Sequence, residues 1–308
     1  MAERILVIRL GALGDIVLST GAFAAIRHHH ADARIVLLTT APYQDLALAG
    51  GWFDEVWLDE RPSWWQLGAL RRLSRSLREG CFDRVYDLQT SDRSGRYLRL
   101  FGSRRPEWSG IARGCSHPHA NRERDSMHTV ERQAEQLHMA GIEQVPPPNL
   151  SMVAADLSMF ALPPRFALLV PGGSAHRLAK RWPAARYREL AERLRGMGLA
   201  SVLIGAEAEN GVLEQIAAGR RDVVNLCGAT SFAQIAALAR YAVLAVGNDT
   251  GPVHLVATAG CPTVVLFSGA SDPALTAPRG PSVVVVRRPS LGDLSVDEVA
   301  HAARRALA

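Results

Sequence analysis

A chain of 308 residues with 48% hydrophobic side chains is long enough for two cores of about 150 residues each. No apolar run approaches the ~20 residues a bilayer-spanning helix needs, and four scattered cysteines without a Cys-x-x-Cys pair argue against a disulfide or zinc framework. The 35 basic and 30 acidic residues admit small anionic partners; nucleic acid is not expected. The amino terminus enters a strand directly, without signal-peptide organisation, which points to a cytoplasmic protein.

In chain order, residues 4–9 read as an apolar strand, Gly11 to Asp15 as a glycine turn and 16–27 as a helix. His28, His29 and His30 close that helix, where solvated imidazolium suits the dipole. Strands follow at 34–39, 53–58 and 82–88, with a helix over 94–101. Residues 103–126 lack periodicity and read as a surface loop. A helix over 129–140 stops at Gly141, and Pro146, Pro147 and Pro148 stiffen a linker, so the expected domains are 1–150 and 151–308. In the second domain, strands at 166–170, 200–204, 223–226, 241–246, 263–267 and 282–286 alternate with helices at 183–197, 208–218, 231–240 and 253–259. A last helix, 295–307, is available to fold back on the first domain. Such alternation is the mark of parallel sheets flanked by helices. The expected class is α/β: two Rossmann-like domains whose parallel sheets face one another across a cleft.

Four stretches carry chemistry. Asp249, Thr250, Gly251, Pro252 and His254 lie between a strand and a helix. Pro252 suits a first helical turn, and the N–H groups of Thr250, Gly251 and Val253 would converge beyond the strand, where a phosphate is favoured. The alternative is an ordinary N-cap at Asp249 and a tight turn at Gly251. After the strand at 166–170, Gly172 and Gly173 admit close backbone approach, Ser174 offers a hydroxyl, and His176, Arg177, Lys180 and Arg181 bring charge. Lys180 is the single lysine of the chain, which suggests a position wanting a compact ammonium rather than a planar fork. Glu207 either accepts hydrogen bonds from a ribose or base or caps the next helix. Asp15 either caps its helix or acts as a general base. No Gly-x-Gly-x-x-Gly follows the first strand, which disfavours a nicotinamide cofactor, and no carboxylate cluster suggests a bound cation. Residues 64–78 place Leu67, Leu70, Leu73 and Leu77 beside Arg71, Arg72, Arg75, Arg78, Trp64 and Trp65. This is either a core-covering helix or one lying on an anionic membrane surface.

Together, the segment from Arg9 to Asp15, the loop from Gly173 to Pro183, Gly205 to Glu207 and the run from Asn248 to His254 resemble glycosyltransferase family 9, the bacterial heptosyltransferases. Asp87 to Gln89 and His128 to Arg132 extend the likeness through the first half. The resemblance implies a GT-B fold, with acceptor binding in the first domain and donor binding in the second. It also implies metal-independent, inverting transfer of heptose from an ADP-sugar to the lipopolysaccharide core, or another surface glycan, at the inner face of the cytoplasmic membrane. No cofactor is implied, and the acceptor is a lipid-linked or core oligosaccharide. By this likeness Asp15 is the general base and Lys180 stands beside the sugar and diphosphate. Glu207 contacts the nucleoside, Asp249 the sugar hydroxyls, and Ser174, Thr250, Gly251 and His254 complete the donor side. Gly14, Gln89 and Arg93 are acceptor-side positions. The competing readings are a GT-B enzyme of another nucleotide sugar, a 2-epimerase included, and a non-catalytic sugar-nucleotide binding protein.

Overall fold

The computed structural model describes residues 2–173 and 178–308. The chain divides into two compact units, Met1–Pro148 and Asn149–Ala308. Among the described residues no helix is long and apolar enough to cross a membrane.

The first unit is built on six parallel strands: β1 Arg4–Ile8, β2 Arg34–Thr39, β3 Glu55–Leu58, β4 Arg84–Asp87, β5 Glu107–Gly110 and β6 His117–Pro118. They lie in the order β3-β2-β1-β4-β5-β6. β1 and β2 are continuous apolar runs, as strands covered on both faces must be. Leu6, Ile8, Val36, Leu38, Val85 and Trp108 join one core under the flanking helices. The second unit repeats the plan with β7 Phe166–Val170, β8 Ala200–Leu203, β9 Val223–Asn225, β10 Leu244–Asn248, β11 Thr263–Phe267 and β12 Val283–Arg287. Its order, β12-β11-β10-β7-β8-β9, is the same doubly wound arrangement. In each sheet the winding reverses between the first and fourth strands, at the β1–β4 and β7–β10 pairs. Open α/β sheets bind ligands beyond the carboxyl ends of the strands at that reversal.

Several expectations are corrected. The helix read over 16–27 is two, Leu13–Leu18 and Thr20–His29. They part at Ser19, whose hydroxyl donates to the Asp15 carbonyl at 2.6 Å. His30 is not solvated: it is buried between Glu3 and Tyr86, at 2.8 Å from each. The stretch 103–126 holds β5 and β6, which four- and two-residue strands are too short to announce by periodicity. A short helix, Gln44–Ala49, was also not anticipated. The strand before Asp249 runs two residues further than expected, so Gly247 and Asn248 belong to β10. The last helix is Val296–Leu307, starting one residue later than expected. Val296, Val299, Ala302, Ala303 and Ala306 bury it in the core of its own unit.

The triple-proline segment is fitted against the helix Thr20–His29 with no room to spare. A methyl group at Gly21 would overlap the Pro146 carbonyl oxygen, part of a backbone that cannot swing aside. Helix propensity favours Ala over Gly by about 1 kcal/mol, whereas such overpacking costs ~1–3 kcal/mol. Gly21→Ala is therefore expected to lower stability by up to about 2 kcal/mol, read as a lower urea midpoint at unchanged slope; a raised midpoint would mean the segment yields.

Candidate active site

At the reversal of the first sheet, the turn after β1 is shaped by Gly11, at φ +113°, where a Cβ would press on the Tyr43 ring. Arg9 leaves the strand end and is 2% exposed. Its guanidinium donates to the Leu88 carbonyl at 2.6 Å and to the Asp15 carbonyl at 3.3 Å. The same group approaches the Asp15 carboxylate at 3.2 Å. Burial pulls the Arg9 pKa down, against the opposing charge of Asp15. The second oxygen of Asp15 accepts the Ala12 N–H at 3.1 Å. Asp15 thus does reach back to its own helix start, yet its side chain stays 38% exposed and held on two sides.

Gly14 is half-buried in the same turn of helix. Gln89 faces inward: its carbonyl oxygen accepts the Leu10 N–H at 2.8 Å, tying the end of β4 to the end of β1. Arg93 is not brought to Asp15 by any bond; it donates to the Pro62 carbonyl at 3.0 Å and stacks over Trp64. Asp87 is fully buried, and one of its oxygens accepts the N–H groups of Gln89 and Thr90. Burial pushes its pKa up to about 7, only partly opposed by these bonds and by Arg9.

At the reversal of the second sheet, β7 and β10 are in register with Val170 opposite Gly247. This sets Asn248, which is fully buried, beside the Pro171–Gly173 turn. Its amide donates to the carbonyls of Pro171 at 2.7 Å and Gly172 at 3.0 Å. Its oxygen accepts the Trp182 N–H and the Tyr187 hydroxyl, each at 3.0 Å. One side chain therefore fixes both ends of the loop that carries Lys180.

Lys180 closes a 3-10 turn, Leu178–Lys180, and its ammonium lies 2.5 Å from Asp249 Oδ2. Ser271 donates to the same oxygen at 2.7 Å, and His254 Nε2 stands 3.9 Å from Oδ1. The pair is largely buried, at 11% and 6% side-chain exposure. Burial alone would raise the Asp249 pKa. The nearby His254 ring, hydrogen bonds from Lys180 and Ser271, and the Lys180 charge outweigh it and hold the carboxyl at about 2. Asp249 is not the N-cap of the helix Gly251–Thr258; Thr250 is, without a side-chain cap bond.

The N–H of Val253, expected to be free, donates to the Thr250 carbonyl at 3.1 Å. Those of Thr250 and Gly251 have no partner among the described residues. Ser174, with His176 and Arg177, lies outside the described residues. Glu207 is exposed beside Gly228 and takes no part in the Lys180–Asp249 pair. Its neighbour Glu209, which the sequence reading passed over, instead accepts the N–H groups of Gly173 and Ala206. Ser271 was missed as well. No local pattern marks it, because its partner is 22 positions away. Arg9 had a signal, a charged residue continuing an apolar strand into a glycine turn.

Known proteins resemble this chain in sequence and fold. The model of "Glycosyltransferase family 9 (heptosyltransferase)" matches residues 70–298. A lipopolysaccharide heptosyltransferase 2 of Salmonella typhimurium is 29% identical over 246 residues, covering 72% of this chain and 70% of that protein. Among solved structures, the ADP-heptose LPS heptosyltransferase II of E. coli superposes with a TM-score of 0.83 at 24% identity, covering 99% of this chain and 98% of that one. A glycosyl transferase family 9 structure from Veillonella parvula gives 0.86 at 20% identity, covering 99% and 97%. The fold is GT-B.

The ion pair has a pH signature. The Asp249 carboxyl falls from an ordinary 3.8 to about 2, so its stabilisation is complete above pH 3.8 and is lost as pH falls through about 2. Asp249→Asn leaves the Lys180 ammonium buried without its partner, at a cost of ~3–5 kcal/mol at neutral pH. Urea unfolding of both proteins across pH is expected to show that gap constant above pH 3.8 and shrinking below it; a gap independent of pH down to 2 would remove the pair as its source.

Proposed function

The chain belongs to glycosyltransferase family 9, and on that premise we propose that it transfers a heptose from ADP-heptose to the core of lipopolysaccharide, with inversion and without a metal. The observation that carries this reading is the buried Lys180–Asp249 pair at the β7–β10 reversal, beside the unpartnered N–H groups of Thr250 and Gly251.

In the mechanism we propose, the diphosphate of the donor lies against those two N–H groups and the Lys180 ammonium. Asp249 Oδ2 is occupied by Lys180 and Ser271, which leaves Oδ1 for a sugar hydroxyl. Asp15 Oδ1 and Oδ2, oriented by Arg9 and the Ala12 N–H, retain lone pairs for the acceptor hydroxyl. The acceptor oxygen attacks the anomeric carbon from the face opposite the diphosphate. Its proton passes to Asp15, the C–O bond to the diphosphate breaks, and ADP leaves with the electron pair. Charge developing on the leaving oxygen is met by fixed donors, each worth ~3 kcal/mol when well aimed. Proton removal contributes ~10²–10⁴-fold. Glu207 is the proposed nucleoside contact and Ser174 a phosphate contact. Gly14 provides close backbone approach on the acceptor side. Gln89 acts there by holding Leu10, and Arg93 by holding Pro62.

Asp15→Asn is expected to lower transfer at least ~100-fold while ADP affinity, measured by calorimetry, stays within twofold of wild type. Lys180→Ala should weaken both. Transfer should survive EDTA and prefer ADP-heptose over UDP- and GDP-sugars. An active Asp15→Asn enzyme overturns the base assignment, and a preference for UDP- or GDP-sugars returns the choice to the other GT-B activities.

We further propose that the protein works on the cytoplasmic side and touches the membrane surface peripherally. In the helix Leu67–Glu79, Leu77 is buried and Leu73 half-buried, whereas Leu67 is 60% exposed and the preceding Trp65 81% exposed. Arg71, Arg72 and Arg75 are exposed on the same helix, while Arg78 is tied to the Leu100 carbonyl. Apolar side chains beside arginines suit an anionic interface. Co-sedimentation with vesicles containing phosphatidylglycerol is expected for the wild type and to drop severalfold for Arg71→Ala/Arg72→Ala/Arg75→Ala; equal sedimentation of the two would sink the contact.

A further inference from the structure

Two turns of the first unit carry backbone that their own residues do not favour. Arg61 stands at φ +51° and Thr90 at φ +43°, two of the three non-glycine residues with positive φ among the described residues. Side chains with a Cβ rarely enter the left-handed region, and β-branched ones such as threonine least of all. Each turn is held by a buried acid two or three positions earlier. Asp59, 3% exposed, accepts the Arg61 N–H on Oδ1 at 2.7 Å and the Tyr97 hydroxyl on Oδ2 at 2.6 Å. Asp87 accepts the Thr90 N–H at 3.0 Å and the Gln89 N–H at 3.1 Å on one oxygen. An aspartate that bonds the backbone two residues on imposes a turn of this kind.

Both turns close on the same peptide. Gln89 Oε1 accepts the Leu10 N–H at 2.8 Å, and the Arg61 guanidinium donates to the Leu10 carbonyl at 2.9 Å. Asp87 ends β4 and Asp59 follows β3, which lie on opposite sides of β1 in the sheet. Leu10, the second residue beyond β1, is therefore gripped from both flanks. Directly after it comes the turn that presents Asp15, whose carboxylate takes the Ala12 N–H at 3.1 Å. Strained backbone persists only where its surroundings over-determine it, and it clusters at working sites. A base must stand within hydrogen-bond reach of the proton it removes, and a misplacement of ~1 Å can cost ~10²-fold in rate. We propose that Asp59 and Asp87 are positioning residues for Asp15, acting through Arg61 and Gln89 on the Leu10 peptide. That Asp15 receives a proton rests on the transferase reading above; the grip on Leu10 does not.

The test takes three readings on each protein: kcat for transfer from ADP-heptose, ADP affinity by calorimetry, and amide hydrogen exchange at Leu10 and Ala12 by NMR. Asp87→Ala is expected to lower kcat ~10–100-fold, to leave ADP affinity within twofold of wild type, and to speed exchange at both amides. Asp59→Ala should act in the same direction. Asp87→Asn keeps an acceptor oxygen and should retain most of the activity. Adding Thr90→Gly to Asp87→Ala makes the left-handed turn free of strain and should recover kcat severalfold. An acid that merely filled space would not be rescued by a glycine three positions away. Should the alanine variants fail to fold, Gln89→Leu, at a half-buried position, removes the bond to the Leu10 N–H and should lower kcat and speed Leu10 exchange. Unchanged kcat in the variants that fold, or a lowered kcat with unchanged exchange at Leu10 and Ala12, overturns the positioning role. A wild type that transfers no heptose removes the transferase reading instead, and the exchange rates then decide by themselves whether the two acids grip Leu10.

Discussion

The carboxamide of Asn248 holds the working end of the second sheet together. It has two donors and an oxygen with two lone pairs, and all four are used: on Pro171, Gly172, Trp182 and Tyr187. A buried amide so fully engaged cannot rotate without breaking several bonds, each costly to leave unmade in a dry interior. The loop bearing Lys180 is thereby anchored at both ends to the last residue of β10. Asp249 is the next residue in the chain. The ammonium and carboxylate are brought to 2.5 Å because the supports beneath them are rigid.

The first unit meets the same need with a charge. Arg9 occupies the end of β1 as Asn248 does that of β10, and it binds the carbonyls of Leu88 and Asp15 from beneath. Gln89 completes the tie by taking the Leu10 N–H. In both units a buried polar side chain at the reversal joins the first strand's loop to the fourth strand's. A carboxylate then stands on that support, Asp15 in one unit and Asp249 in the other. Parallel sheets end with unpaired backbone groups at this edge, and these side chains satisfy them while leaving the carboxylates presented.

The two carboxylates differ in setting, and their chemistry follows. Asp249 is buried beside an ammonium and a hydroxyl, so it is held ionised far below neutral pH and suits constant electrostatic and hydrogen-bonding work. Asp15 is considerably more open, with its charge partner behind it, which suits proton exchange with an incoming hydroxyl. Asp87, behind both Arg9 and Gln89, is enclosed and raised to about 7, a supporting group rather than one that meets a ligand.

Much of this was legible in the residues. The apolar runs that became β1, β2, β7 and β11, the glycine turns after β1 and β7, and the places of Asp15, Lys180 and Asp249 beyond strand ends all come from local pattern, because burial on both faces leaves local marks. β5 and β6 left none, being four and two residues long, too short for alternation to stand out. The choice between Glu207 and Glu209 as the acid gripping the Gly173 turn was equally invisible, since both precede the same helix and only the packed backbone tells them apart. Local sequence decides which conformation each segment prefers. Which acid meets which base, as with Lys180 and Asp249 at 69 positions' separation, is decided by the register of β7 on β10, a property of the assembled sheet that neither strand contains alone.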